Sequence, residues 1–174
     1  MPPEPTRTLV EADALTDEQR RHLFFFEDDV FGLGAFGLQW EPKTHFFTVY
    51  VADSLVAKAG VVPRTVEVGG RTVRVAGLGS VVCRPEARGS GHPTAAIEAV
   101  MRYGREVLKA EFGMLFCLPR LSPFYARRGW EPVTHPVWIE QADGTVPSPL
   151  VVMVRRLGDA TWPPGPIAVG GKPW

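Results

Sequence analysis

The stretch that most constrains this chain is RTVRVAGLGSVVCRPEARGSGHPTAAIEAVMRYGREVLKA, residues 71–110. It opens as a Val-rich strand, crosses a loop holding Arg88, Gly89 and Gly91, and continues into a helix that opens on Pro93. Along that helix Ile97, Val100, Met101, Gly104, Val107 and Leu108 recur at helical spacing, so one face is apolar and packs on a sheet.

The loop is the chemically informative part. Backbone N–H groups at a helix start have no partner within the helix, and the helix dipole adds partial positive charge there. Two glycines let the backbone approach closely and Arg88 adds a full charge, so the segment suits an anion such as a pyrophosphate. Proline fits the first turn, where its missing N–H would be unpaired anyway. The same residues also describe a Gly-rich turn from strand to helix that binds nothing. Upstream, Gly77 and Gly79 interrupt the strand, which marks a bulge or a close approach by another group.

The run Val81 to Pro93, with Pro85-Glu86-Ala87-Arg88-Gly89-Ser90-Gly91, resembles motif A of the GNAT acetyltransferases. The resemblance implies an α/β fold with a mixed, mostly antiparallel central sheet, a splayed parallel strand pair and flanking helices. It implies acetyl-CoA as co-substrate, with Val81, Val82 and Cys83 along the pantetheine arm. Arg88, Gly89, Ser90, Gly91, His92 and Pro93 would form the pyrophosphate cradle. The chain departs from the pattern at Pro93, where a small residue is common; proline removes one donor from the cradle.

A second segment, Ser122 to Trp130, reads as a helix of about two turns, with a Ser122 cap, Pro123 in the first turn and Gly129 at a left-handed end. It resembles the family's second signature, a Tyr on a short helix followed by a basic residue, Gly and an aromatic. The Tyr commonly protonates the departing CoA thiolate there, which makes Tyr125 the candidate general acid. The alternative is a core Tyr with its hydroxyl on a backbone carbonyl.

Around these motifs, Thr8 to Val10 is a short strand candidate, and Thr16-Asp17-Glu18-Gln19 has capping-box spacing. Leu23, Phe26 and Val30 share one face, giving an amphipathic helix over 17–30. Its acidic end, Glu27, Asp28 and Asp29, is either solvated or borders an acceptor site together with Gly32, Gly34, Gly37, Trp40 and Glu41. Asp28, Trp40, Gly79 and Trp174 are the acceptor-binding candidates. A general base could come from Glu41, the leading candidate, or from Asp28, Asp29 or His45, acting directly or through water.

Strands are expected at His45–Ala52, Leu55–Val62 and Thr65–Val68, with a Gly69-Gly70 hairpin turn into the motif strand. Phe112–Leu118 reads as a buried strand parallel to it. Trp130–Glu140 and Pro149–Arg156, joined across Asp143-Gly144, read as a C-terminal hairpin through which a homodimer could form. Residues 1–157 are expected to form the catalytic domain and 158–174 a Pro/Gly-rich tail near the acceptor site, anchored by Trp162 and Trp174 or else disordered.

At 174 residues the chain can bury a core without staples. Its 19 basic and 19 acidic residues cancel, which argues against non-specific nucleic-acid binding. No apolar run suits a bilayer, the start lacks a secretion signal, and Cys83 and Cys117 read as buried thiols rather than a disulfide or metal site. A cytoplasmic, metal-free protein is the expectation.

The element order, Ala126-Arg127-Arg128-Gly129-Trp130, the Asp143-Gly144-Thr145 turn and the Trp-bearing tail resemble the aminoglycoside 2'-N-acetyltransferase branch of the family. In that branch acidic groups near the motif strand and in the tail hold the polycationic drug. Gly79 and Lys172 stand in those places here, and a lysine repels a polyamine. The expected activity is acetyl transfer from acetyl-CoA to a primary amine of a small molecule. A non-catalytic acyl-CoA sensor and a protein N-terminal or lysine acetyltransferase are the alternatives.

Overall fold

The structure, a computed structural model, describes residues 7–24 and 29–174. Among these, ten strands form one mixed sheet with helices against it. Strand β1 (Arg7–Ala12) pairs antiparallel with β2 (His45–Val51), and β2 with β3 (Ser54–Val68). The Gly69-Gly70 turn, both residues at positive φ, returns the chain as β4 (Arg71–Cys83), antiparallel to β3. Helix α2 (His92–Glu106) then crosses to β5 (Phe112–Cys117), which runs parallel to β4.

β3 is one strand of 15 residues, where the sequence suggested two separated by Pro63-Arg64. Pro63 is tolerated because the pairing of β3 with β2 ends at Val61 and the next neighbour on that edge starts only at Glu67. Between them β3 has β4 alone, and a missing N–H facing an open edge breaks no ladder bond.

The C-terminal half also differs from expectation. Trp130–Glu140 is not one strand: it divides into β6 (Glu131–Pro132) and β7 (Val137–Gln141). The Asp143-Gly144 hairpin joins β7 to β8 (Gly144–Pro147), and β9 (Val151–Arg156) inserts between β5 and β6. The segment after β9 contributes β10 (Ile167–Ala168), held between β3 and β7.

On one sheet face α2 buries Ile97, Val100 and Met101 against Ala76, Leu78 and Leu115. Gly104 lets the helix approach, since a Cβ there would sit 2.6 Å from that of Ala76. Val107, expected on the same face, instead ends the helix and is exposed. The opposite face buries Val62, Val75, Met114, Phe116, Ile167 and Trp174. Near the other end of the chain, the capping box forms as expected, with Thr16 N–H to Gln19 Oε1 and Gln19 N–H to Thr16 Oγ1. The helix it opens, α1, covers Asp17–Phe24; Val30 lies in a turn, and Phe26, Glu27 and Asp28 fall outside the described residues.

Candidate active site

β4 and β5 pair from Val75–Phe112 to Leu78–Leu115 and then part, although β4 runs on to Cys83 and β5 to Cys117. The reason lies on the other edge of β4. Its register with β3 passes from Gly60–Gly79 to Lys58–Val82, so Ser80 and Val81 together oppose Ala59. This is a bulge, with Ser80 at φ +52°, and a bulge bends and twists the strand that carries it. β4 therefore turns away from β5, and a cavity of about 810 Å³ occupies the gap.

Most of the residues singled out in the sequence meet in this cavity. Val81, Val82, Cys83, Arg88, Gly89 and Pro93 line one side; Gly79, Trp40 and Trp174 line it elsewhere; Tyr125 reaches it from α3 (Ser122–Ala126). Ser90, Gly91 and His92 are not among the lining residues. Ser90 and Gly91 are exposed on the loop, and the His92 ring is buried as the first residue of α2. Glu41 is elsewhere: with Arg64, at 3.8 Å, and Lys172 it lines a separate shallow hollow. Asp28 lies outside the described residues.

The loop before α2 has Gly89 at φ +83° and Gly91 at φ +73°, conformations that favour glycine. A Cβ on Gly89 would meet nothing within 4 Å, so the loop surface is open there. The first bond of the helix runs from Ala95 N–H to Gly91 O, which leaves the amides of His92 and Thr94 without an intrahelical partner. Arg7 from β1 reaches across and donates to Ser90 O at 2.7 Å. Nothing in the sequence pointed to Arg7, because β1 and the loop meet only through the fold.

Tyr125 is held by aromatic edges, Phe124 at 5.0 Å and Trp130 at 6.1 Å between ring centres. Its helix is shorter than expected, and Ser122 does not cap it; the residue before the helix is Leu121, and the Ser122 hydroxyl lies 3.9 Å from Cys117 Sγ. Gly129 does take the left-handed conformation that ends the turn. Arg128 ties this element to α2, donating to Thr94 Oγ1 and to Phe124 O, both at 2.7 Å. Burial first, then the neighbouring Cys117, push the Tyr125 phenol above the ordinary tyrosine range, with Arg128 opposing. Cys83 and Cys117 are free, buried thiols, both pushed up chiefly by burial, which is the reverse of an activated nucleophile.

Gly77 and Gly79 make room. A Cβ on Gly77 would lie 2.5 Å from Trp174 Cε2, and one on Gly79 would lie 2.3 Å from Lys43 Cε. Trp174 fills the first space, donates its indole N–H to Met114 O at 3.2 Å and stands edge-on to Phe116. Lys43 fills the second, a cavity residue that sequence reasoning missed.

With this geometry in hand, comparison identifies the class. Residues 39–133, more than half of the chain, match the acetyltransferase (GNAT) domain model, and the chain belongs to that family. Among solved structures, a GCN5-related N-acetyltransferase from Kribbella flavida is similar at 25% identity and a TM-score of 0.54, covering 74% of this chain and 35% of its own. The chain thus spans about a third of that relative's length. The GNAT protein YhbS from Escherichia coli, solved with CoA, shares the fold at 16% identity and TM-score 0.57, covering 95% of this chain and 92% of its own. So does an N-acetylglutamate synthase from Neisseria gonorrhoeae, solved with CoA and N-acetylglutamate, at 11% identity and TM-score 0.56, over 87% of this chain and 36% of its own. No curated protein matches. No helix among the described residues is long and apolar enough to cross a membrane.

Proposed function

We propose that the protein transfers an acetyl group from acetyl-CoA directly to the primary amine of a small molecule, with Tyr125 as the general acid. The observation that carries this reading is the placement of the Tyr125 hydroxyl-bearing ring in the wall of the gap between β4 and β5. The gap fits the co-substrate. Past Leu78 the edge of β4 has no strand partner on the β5 side, so Val81 to Cys83 offer backbone groups to an extended arm. The open glycine loop, the amides of His92 and Thr94 and the charge of Arg88 suit a pyrophosphate, and Pro93 supplies no donor. Arg7 holds the loop through Ser90 O.

Acetyl-CoA, when bound there, supplies an acyl group activated as a thioester. In the exchange a C–N bond forms to the amine and the C–S bond breaks; the amine proton leaves to solvent, and the phenol of Tyr125 gives its proton to the sulfur. Glu41 has no place in this scheme, because it faces Arg64 in the other hollow. Asp29, the one acidic side chain among the described lining residues, accepts the N–H groups of Leu33 at 3.1 Å and Gly34 at 2.9 Å, so its role is to fold the loop. Among the described lining residues this leaves water as the proton acceptor for the amine.

The test is thiol release from acetyl-CoA against a panel of small amines, with aminoglycosides included. Amine-dependent release supports the reading; binding of acetyl-CoA without release from any amine contradicts it. The pH profile gives a second check. A phenol whose pKa is raised keeps its proton as pH rises, so kcat is expected to show no alkaline fall from Tyr125 below about pH 10. A fall near pH 8 that disappears in Tyr125→Phe would mean that the phenol titrates there and that burial does not raise its pKa.

A further inference from the structure

Lys43 enters the cavity along a lane that two glycines clear. Gly60 on β3 and Gly79 on β4 are cross-strand partners, and a Cβ on either would strike the lysine stem, at 2.7 Å from Cγ and 2.3 Å from Cε respectively. The stem therefore lies flat across the sheet and its ammonium arrives at Gly79, the residue after the last β4–β5 pair. Among the described residues the ammonium makes one hydrogen bond, to Glu41 O at 3.3 Å, of the three it can donate.

We propose that the acceptor is a small amine that also carries a carboxylate, and that the Lys43 ammonium binds that carboxylate; this rests on reading the cavity as the acyltransferase site. The charge of the lining points the same way. Lys43, Arg88 and Arg120 stand against Asp29, whose oxygens already hold the Leu33 and Gly34 amides. A polycation finds repulsion here and no free acidic side chain among the described lining residues, whereas an anion finds a desolvated partner. Val30, Phe31, Leu33, Leu38 and Trp40 line the cavity as well, so the body of the acceptor is apolar, as in an α-amino acid with an apolar side chain. Burial lowers the Lys43 pKa to about 8 with Glu41 opposing, which keeps most of the side chain charged at neutral pH. Lys172, the tail lysine that the sequence set against a polyamine, lines the other hollow; Lys43 is the one that faces the cavity.

Product analogues test this without requiring turnover. N-acetyl-leucine and N-acetyl-phenylalanine are titrated calorimetrically into the CoA-loaded protein beside their decarboxylated counterparts, N-acetylisoamylamine and N-acetylphenethylamine. The acids are expected to bind about 10-fold or more tightly than the neutral amides. Lys43→Met, which keeps a flexible stem in the lane and removes the charge, should abolish that preference while CoA affinity holds. Equal binding of acid and amide, no binding of the acids, or a preference that survives Lys43→Met would overturn the proposal. Thiol release measured with phenylalanine and phenethylamine separates the two readings. Acid binding without release from any amine sinks the transferase and leaves the carboxylate site, while release that favours phenethylamine sinks the carboxylate site alone.

Discussion

In a Tyr125→Phe variant, turnover is expected to fall about 10- to 1000-fold while acetyl-CoA affinity is unchanged. The substitution is a clean one because the ring does the packing and, in the proposed reaction, the hydroxyl does the chemistry. Phenylalanine keeps the edge contacts with Phe124 and Trp130, so the wall of the cavity stays in place. What is lost is a proton held on an oxygen at the gap, kept there by burial that disfavours the phenolate. The departing sulfur must then take its proton from water, which is less well placed. Steady-state kinetics at saturating acetyl-CoA, with a binding titration on the same preparation, separate the two effects. Turnover equal to the parent would remove Tyr125 from the mechanism.

The second large effect is on stability. Trp174→Ala is expected to cost about 3–5 kcal/mol, the range for removing a buried large aromatic. The side chain is 3% exposed, its indole N–H is bonded to Met114 O, and its ring stands edge-on to Phe116 with 5.0 Å between centres. Deleting it leaves a void against Gly77, which has no side chain to fill the space, and strips one wall of the cavity. For a chain of this size such a loss lowers Tm by roughly 6–20 °C. Trp138, 40% exposed, is the control: its replacement by alanine should change stability by about 0.5 kcal/mol or less. Thermal melts that fail to distinguish the two variants would mean that Trp174 does not hold the sheet as described.

The strand, loop and helix of residues 71–110 could be read from the chain because their signals are local. Glycine at positive φ, proline in a first helical turn and an apolar stripe at helical spacing act over a few residues. The left-handed Gly129 followed from similarly short-range chemistry. The bulge at Ser80 and Val81 left no such trace, since it exists only as a register between β3 and β4. The insertion of β9 between β5 and β6 is likewise a pairing across distance, and the Asp143-Gly144 turn signal favoured the nearer partner. Pro63 was misleading: it signals an interruption, yet the strand passes through it where its edge is open.

Lys43 shows the limit most clearly. In Glu41-Pro42-Lys43-Thr44 nothing singles it out, and Gly79 reads as a missing acid. Folding brings both together with Gly60, so the empty position on β4 becomes the space for a charge from another segment. The signal available in the sequence was the second glycine, Gly60, inside a strand; its meaning required the register.

The central claim is that the loop before α2 and the open edge of β4 hold acetyl-CoA, and calorimetric titration with acetyl-CoA tests it most directly when parent and Gly91→Val are compared. Gly91 is the N-cap of α2 at φ +73°, which a β-branched residue adopts only with strain, and valine would distort the amides beside it. One site per chain in the parent, weakened about 10-fold or more in Gly91→Val, is the result the account predicts. No binding by the parent, or equal affinity in a folded Gly91→Val protein, would contradict it.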